Sequence, residues 1–296
     1  MAGKILITGA QGFVGSNVIQ QSDPNCEIHA LSRQPGKVHR AGLHWHTVDP
    51  SDAAALGKIF ERHRPDAVIH AAAMANIDEC EAHQALAQSA NVGFTQTLAN
   101  LCRAHGAKMV FCSTDTVFDG EHAPYQESDL PQPINFYART KVEAEGIVAQ
   151  LGSKGVIARL ALVIGLPLVG QGNSFLAAMI ASFKAGRAVT SPTNEVRTPV
   201  DVITLARALI ELATADHTGI FHLSGNDGLN RFQMGQIIAD RLGFDRQLVL
   251  PTDSSTMLNR APRPRDVSLS NAHARANLKT PMRGFEDGLA LALHGG

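Results

Sequence analysis

The chain has 296 residues, with 26 Lys and Arg against 27 Asp and Glu for a net charge of −1; that balance leaves no electrostatic footprint for nucleic acid and no polybasic stretch for an anionic membrane surface. Apolar residues make up 44% and charged residues 18%, which suits a globular enzyme and excludes a disordered chain. No apolar run reaches the ~20 residues needed to span a bilayer, no secretory h-region precedes the first strand pattern, and Cys26, Cys80, Cys102 and Cys112 lack CxxC spacing, so the expectation is a cytoplasmic protein of one or two domains without a disulfide framework.

Short, mostly apolar, β-branched runs at residues 4–8, 27–31, 43–48, 67–70, 109–113 and 156–162 read as strands covered on both faces. Helical patterns at 12–20, 52–62, 81–105 and 137–151 separate them, and Asp52 is placed to cap the second. Such alternation predicts an α/β fold, a Rossmann-type doubly wound parallel sheet over residues 1–165. Beyond it the rhythm changes. Helices at 175–185, 202–213, 232–242 and near the C-terminus, with Gly243 as a stop, enclose short strands at 220–223 and 247–250. They outline a small, mostly helical substrate-binding lobe, residues 166–296, docked onto the sheet as part of one compact unit.

The first predicted strand runs into Thr8-Gly9-Ala-Gln11-Gly12-Phe13-Val14-Gly15. Gly9 permits a tight turn, Gly12 leaves the helix N-terminus open to a pyrophosphate, and Gly15 lets the helix lie close on the sheet. Gln11, Phe13 and Val14 belong to the same candidate coenzyme loop. At the end of the second strand stand Ser32 and Arg33, where a carboxylate would read the ribose hydroxyls of NAD(H). A hydroxyl and a guanidinium suit the 2′-phosphate instead, so NADP(H) is the expected coenzyme and NAD(H) the alternative. Asp49, after the third strand, is a candidate for the adenine edge or for helix capping.

Tyr137 and Lys141 stand four apart, on one face of a predicted helix. A cation beside a phenol stabilises the phenolate and is expected to lower its pKa from ~10, which brings the tyrosine into range as a general acid or base. Thr114 lies at the carboxyl end of the fifth strand, where open parallel sheets bind their ligands, and its hydroxyl can bond a substrate oxygen.

Together, the glycine loop, Ser113-Thr114-Asp115 and Tyr137-Ala-Arg-Thr-Lys141 resemble an extended short-chain dehydrogenase/reductase. Added features narrow the likeness to the dTDP-4-dehydrorhamnose reductase branch of sugar-nucleotide enzymes: His70-Ala71-Ala72-Ala73, Asn91-Val92, Val117-Phe118-Asp119-Gly120, Gly172-Asn173-Ser-Phe175, Gly219-Ile-Phe-His-Leu-Ser224 and Arg263-Pro-Arg265-Asp-Val-Ser-Leu269. The resemblance runs over nearly the whole chain. It implies hydride transfer from NADPH to the 4-keto carbon of a nucleoside-diphosphate 6-deoxy sugar, with Thr114, Tyr137 and Lys141 catalytic. Ala71, Ala72 and Ala73 would line the coenzyme, Asp115 and Asn173 would meet the substrate, and Arg263 and Arg265 would reach its diphosphate. A homodimer is compatible with the branch.

Departures fall in the substrate pocket. Thr116 stands where the branch carries a tyrosine, Leu162 where it carries a tryptophan, and Thr193–Pro199 replaces its usual polar run. A dehydratase would need Asp-Glu after the threonine, and this chain has Asp115-Thr116. An NAD(P)-dependent epimerase and a non-catalytic NADP-binding regulatory subunit are the remaining alternatives. His44 and His46 share a strand face, but no third or fourth ligand stands at useful spacing, so no metal is expected.

Overall fold

A computed structural model describes residues 3–169, 174–257 and 260–294. The first half follows the expected alternation: β1 (Lys4–Thr8), α1 (Phe13–Gln21), β2 (Glu27–Ser32), β3 (Leu43–Thr47), α2 (Ala53–His63) and β4 (Ala67–His70). Next come α3 (Ile77–Ala82), α4 (Gln84–Gln88), a π-helical turn at Ser89–Gly93, α5 (Phe94–His105), β5 (Lys108–Thr114), α6 (Phe136–Ala149) and β6 (Gly155–Leu160). Past these lie β7 (Val163–Ile164), α7 (Phe175–Lys184), β8 (Val189–Pro192), β9 (Val196–Arg197), β10 (Val200–Asp201), α8 (Val202–Thr214) and β11 (Gly219–Leu223). The chain closes with β12 (Leu229–Asn230), α9 (Arg231–Leu242), β13 (Val249–Thr252), α10 (Ala272–Asn277) and α11 (Phe285–His294).

Seven strands form the main sheet in the order β11-β6-β5-β4-β1-β2-β3, and every neighbouring pair is parallel. Strand order reverses between β1 and β4, so their carboxyl ends, at Thr8 and His70, open a crevice that suits a ligand. One face of the sheet packs α1 and α8 through Val18, Ile19, Leu205, Leu209 and Leu212. Leu56 and Phe60 of α2, Leu98 and Cys102 of α5, and Ala144 and Val148 of α6 cover the other. Each large apolar side chain so buried contributes roughly 1.5–3 kcal/mol. A separate cluster ties α7, α9 and α11 to β13 through Leu176, Met179, Met234, Ile238, Val249 and Phe285.

Local signals explain several boundaries. Asp52 accepts the amide of Ala55 at 2.9 Å and starts α2. Gly243 ends α9 at φ +73°, the left-handed conformation that glycine adopts without strain. Two differences from the sequence expectation bear on the site. The helix expected over 81–105 is interrupted at His83, with φ −129° and ψ 57°, and again at the π turn. Also, α8 and β11, both beyond residue 165, complete the main sheet and its cover, as β11 pairs with β6 from Gly219↔Val156 to Leu223↔Leu160.

Candidate active site

The turn after β1 is built around one carbonyl. Gly9, at φ +65°, directs its oxygen to the amide of Gly12 at 2.8 Å. A Cβ on Gly15 would sit 2.3 Å from that same oxygen, so α1 crosses the strand end at a distance only glycine permits. Gly9 itself packs against the Ala71–Ala72 backbone at the end of β4, and the Ala72 amide donates to Thr8 Oγ1 at 3.2 Å. Gly12 is the N-cap residue of α1; no side chain caps this terminus and no acidic residue stands in its first turn. Exposed amides at the positive end of a helix, with Gly12 open to solvent, fit an anionic diphosphate. Phe13 and Val14, half-buried, form the first turn of this helix, and Ala73 follows in the loop after β4.

Gln11 donates to the carbonyls of Gln34 and Pro35 at 2.9 and 3.1 Å, which ties the glycine turn to the loop after β2. Ser32 Oγ donates to the Gln34 carbonyl, and Arg33 extends into solvent beside it. Asp49 accepts the Ser51 amide and hydroxyl at 2.8 and 2.7 Å, a local turn, while Asp52 is the residue that caps α2.

Tyr137 lies in the first turn of α6. Asn135 caps this helix by accepting the Ala138 amide at 2.9 Å, and its amide group donates to the Pro262 carbonyl at 3.0 Å. Successive turns on the same face carry Tyr137, Lys141 and Glu145 toward β5. Thr114 ends β5; its hydroxyl donates to Asp115 Oδ1 at 3.1 Å and accepts the Thr116 amide at 3.2 Å. Cys80 and Cys112 adjoin both the phenol and the ammonium.

Desolvation dominates both catalytic candidates, of which Lys141 is buried and Tyr137 half-buried. It pushes the Tyr137 phenol above its ordinary pKa, and the Asp115 carboxylate adds to the rise while the Thr114 side chain opposes it. Burial also draws Lys141 down to about 8, with its ammonium 3.9 Å from the centre of the Phe111 ring. The expectation that Lys141 makes the phenol acidic is therefore corrected. Among the described residues no hydrogen bond joins the two side chains, and desolvation and the Asp115 charge push the phenol up.

Asp115 is buried, and desolvation raises its pKa against the pull of Arg197, whose Nε lies 3.7 Å from Oδ2. Oδ2 accepts no hydrogen bond among the described residues. The Arg197 guanidinium is held by the carbonyls of Val196 and Pro264 at 2.6 and 3.2 Å. Arg231, at the start of α9, rests 4.8 Å over the Phe175 ring and faces the same carboxylate; burial lowers its pKa to about 10. Of the two arginines expected at a diphosphate, Arg263 is instead a bidentate partner of Asp78, at 2.7 Å through each nitrogen. Arg265 is exposed. Asn173 falls outside the described residues.

Besides Arg197 and Arg231, three more residues of the site had no assigned role in the sequence reading. His70 Nδ1 lies 2.6 Å from Thr8 Oγ1, and its Nε2 lies 3.0 Å from Thr95 Oγ1. Thr95 already donates to the Asn91 carbonyl at 2.6 Å, so His70 must carry its proton on Nε2 and accept from Thr8. Burial and the nearby Lys141 hold this imidazole neutral, at about 3. A directed chain thus runs from the Ala72 amide through Thr8, His70 and Thr95 to the π turn. In that turn Asn91 pairs with the Met74 amide and carbonyl at 2.8 and 3.1 Å and donates to Thr140 of α6 at 3.0 Å. Glu145 accepts the Ser113 hydroxyl at 2.5 Å and the Arg159 Nη2 at 2.9 Å, a buried pair that clamps α6 to β5 and β6. Glu145 carried a signal, as the next turn of the Tyr137 face; the others depend on contacts distant in sequence.

Away from this crevice, the pairing of His44 with His46 is not the grouping the fold makes. His46 joins His29 of β2 and His63 of α2, so a third imidazole does stand beside it.

The model of the RmlD substrate binding domain matches residues 3–295. A dTDP-4-dehydrorhamnose reductase of Mycobacterium tuberculosis is 31% identical over 99% of this chain and 94% of its own length. Methionine adenosyltransferase 2 subunit beta of Bos taurus is 30% identical over 90% of this chain and 80% of its own length. Among solved structures, a dTDP-4-dehydrorhamnose reductase from Clostridium acetobutylicum superposes with a TM-score of 0.86 at 28% identity, covering 98% of both chains. With its motifs, its sheet order and these likenesses in agreement, the chain belongs to the RmlD substrate binding domain family, within the extended short-chain dehydrogenases/reductases.

Proposed function

We propose that this protein reduces the keto group of a 4-keto-6-deoxy nucleoside-diphosphate sugar with NADPH. The observation that supports the reading is Tyr137 within reach of Thr114 at the end of β5, with Lys141 one turn further along α6, in a fold whose first helix begins with no side-chain cap. The diphosphate of the coenzyme is assigned to the amides after Gly12, and its 2′-phosphate to Ser32 and Arg33, where no carboxylate stands to favour NAD. When bound, the coenzyme supplies a hydride to the carbonyl carbon. Tyr137 gives its phenolic proton to the carbonyl oxygen as that oxygen gains charge. At neutral pH the phenol holds this proton and so is present as the donor; burial makes it a weaker acid, and positive charge near the developing phenolate has to offset that as the proton leaves. Thr114 bonds the same oxygen and fixes its direction. Lys141, still mostly protonated at pH 7, offers its ammonium to the ribose hydroxyls and to the developing phenolate. Asp115 Oδ2, buried 3.7 Å from Arg197 Nε and accepting no hydrogen bond among the described residues, is poised to accept a sugar hydroxyl. Arg231 and Arg265 are assigned to the substrate diphosphate in place of Arg263, which is committed to Asp78.

The test follows NADPH absorbance with a panel of 4-keto-6-deoxy nucleoside-diphosphate sugars. Tyr137→Phe is expected to lower kcat by roughly 10²–10⁴-fold while coenzyme affinity stays within about twofold. Unchanged turnover in that variant removes the tyrosine from the mechanism. A second reading rests on the likeness to methionine adenosyltransferase 2 subunit beta: a nucleotide-binding subunit of another enzyme. A protein of that kind binds NADPH but consumes none with any sugar of the panel.

A further inference from the structure

We propose that His29, His46 and His63 form a binding site for a divalent transition-metal cation that prefers imidazole nitrogen, Zn²⁺ above all, at the outer edge of the main sheet. Their ligand atoms all lie within 4.8 Å of one another, with His29 Nδ1 and His46 Nε2 already 3.0 Å apart. Zinc takes nitrogen at ~2.0–2.1 Å in a tetrahedron, which sets ligand atoms roughly 3.3 Å apart. Closing the trio onto one ion therefore needs side-chain shifts of about an ångström, within rotamer adjustment.

Three elements deliver these rings for reasons of fold alone. β3 pairs with β2 in a register that sets Leu31 opposite His46 and His29 opposite His44. His29, 1% exposed, points from β2 toward α2, whose final residue is His63. The rings of His29 and His63 lie 4.2 Å apart between centroids, and those of His46 and His63 lie 5.0 Å apart.

Around the trio the chemistry is that of a ligand set. Glu27 Oε1 lies 3.0 Å from His29 Nε2, so the carboxylate holds that nitrogen's proton and leaves Nδ1 with its lone pair toward the other two rings. Lys4 pairs with Glu27 at 3.6 Å, and Arg62 and the exposed His44 also face the group. These cations temper the affinity, and Glu27 is the carboxylate that offsets them. A surface hollow of about 550 Å³, lined by His44, His46, Lys58, Arg62 and His63, gives an entry path and room for a water as fourth ligand. A bound ion would cross-link β2, β3 and α2 and pin the edge strand of the sheet.

The experiment uses untagged full-length protein stripped with chelator, titrated with Zn²⁺ by calorimetry and with Co²⁺ by visible absorption. One equivalent per chain, Co²⁺ bands of low-coordinate nitrogen ligation and a rise in Tm with Zn²⁺ are expected. His63→Gln and His46→Gln, both at partly exposed positions, should each weaken binding by at least about tenfold, and Glu27→Gln by roughly tenfold, while His44→Gln leaves it unchanged. Circular dichroism and Tm of the metal-free variants separate loss of ligand from loss of fold. Absence of binding at millimolar metal overturns the proposal. So does equal binding by the wild type, His63→Gln and His46→Gln, which would place the metal on others of the 13 histidines.

Discussion

Gly15→Ala tests the packing on which the coenzyme loop depends. The added Cβ would stand 2.3 Å from the Gly9 carbonyl oxygen and 2.9 Å from Ala10 Cα, and both neighbours are backbone. Ordinary contact begins at 3.4 Å, so α1 and the glycine turn must part by roughly 1 Å. Overpacking of this kind costs ~1–3 kcal/mol, which for a chain of this size lowers Tm by about 2–5 °C. The same shift moves the Gly12 amide off the Gly9 oxygen, now at 2.8 Å, and tilts the helix end proposed to hold the diphosphate. Coenzyme affinity should fall by tenfold or more on the scale of one lost charged hydrogen bond, ~1.5–3 kcal/mol. Gly57→Ala is the control. It sits within α2 with nothing inside 4 Å of its added Cβ, and should raise stability by up to ~1 kcal/mol. Differential scanning fluorimetry and NADPH fluorescence titration read both quantities. If Gly15→Ala matches the wild type in Tm and coenzyme affinity, the close-approach argument is wrong.

Arg33→Ala should weaken NADPH by ~1.5–3 kcal/mol and leave NADH nearly unchanged; equal losses in paired titrations would mean that Arg33 does not read the 2′-phosphate. Glu145→Gln leaves Arg159, 2% exposed, without its charge partner, and should cost ~3–5 kcal/mol in urea unfolding; a loss under about 1 kcal/mol would show that the pair does not clamp the strand. Lys141 titrates at about 8 in the fold against 10.5 when exposed. Between those values the unfolded chain holds a proton that the folded chain has released, so this group's contribution to stability rises with pH across the window and its penalty is complete below it. Lys141→Met should remove that rise, seen as a wild-type-minus-variant difference in urea midpoint that grows from pH 8 to 10.5; a flat difference contradicts the assigned burial.

The nucleotide-binding half was open to reading because its signals are local. Strands buried on both faces appear as unbroken apolar runs, and the glycine turn and the Asp52 cap act within a few residues. Tyr137 and Lys141 share a helix face by spacing alone, and Thr114 was placed by its strand end. The interrupted helix was not legible in this way. Asn91 opens the π turn by bonding Met74 and Thr140, partners that lie 17 and 49 residues away, and no periodicity encodes such a choice. Arg263 likewise had a suitable type for an anion, but Asp78, 185 residues distant, takes both of its nitrogens.

The phenol makes the same point about energies. Four-residue spacing states that a cation stands near Tyr137, but a pKa follows from the balance of that cation against burial and against Asp115, and both opposing effects arise only when β5 and α6 close on each other. The balance falls on the protonated side. Lys141 then matters less for making a phenolate in the resting protein than for holding positive charge where it will form. That assigns the residues separable effects. Loss of Tyr137 should act on kcat alone, whereas loss of Lys141 should act on kcat and on coenzyme affinity together, because the same ammonium serves the phenolate and the ribose. A Lys141→Met enzyme with full coenzyme affinity would place its charge with the phenol only and break the proposed double role.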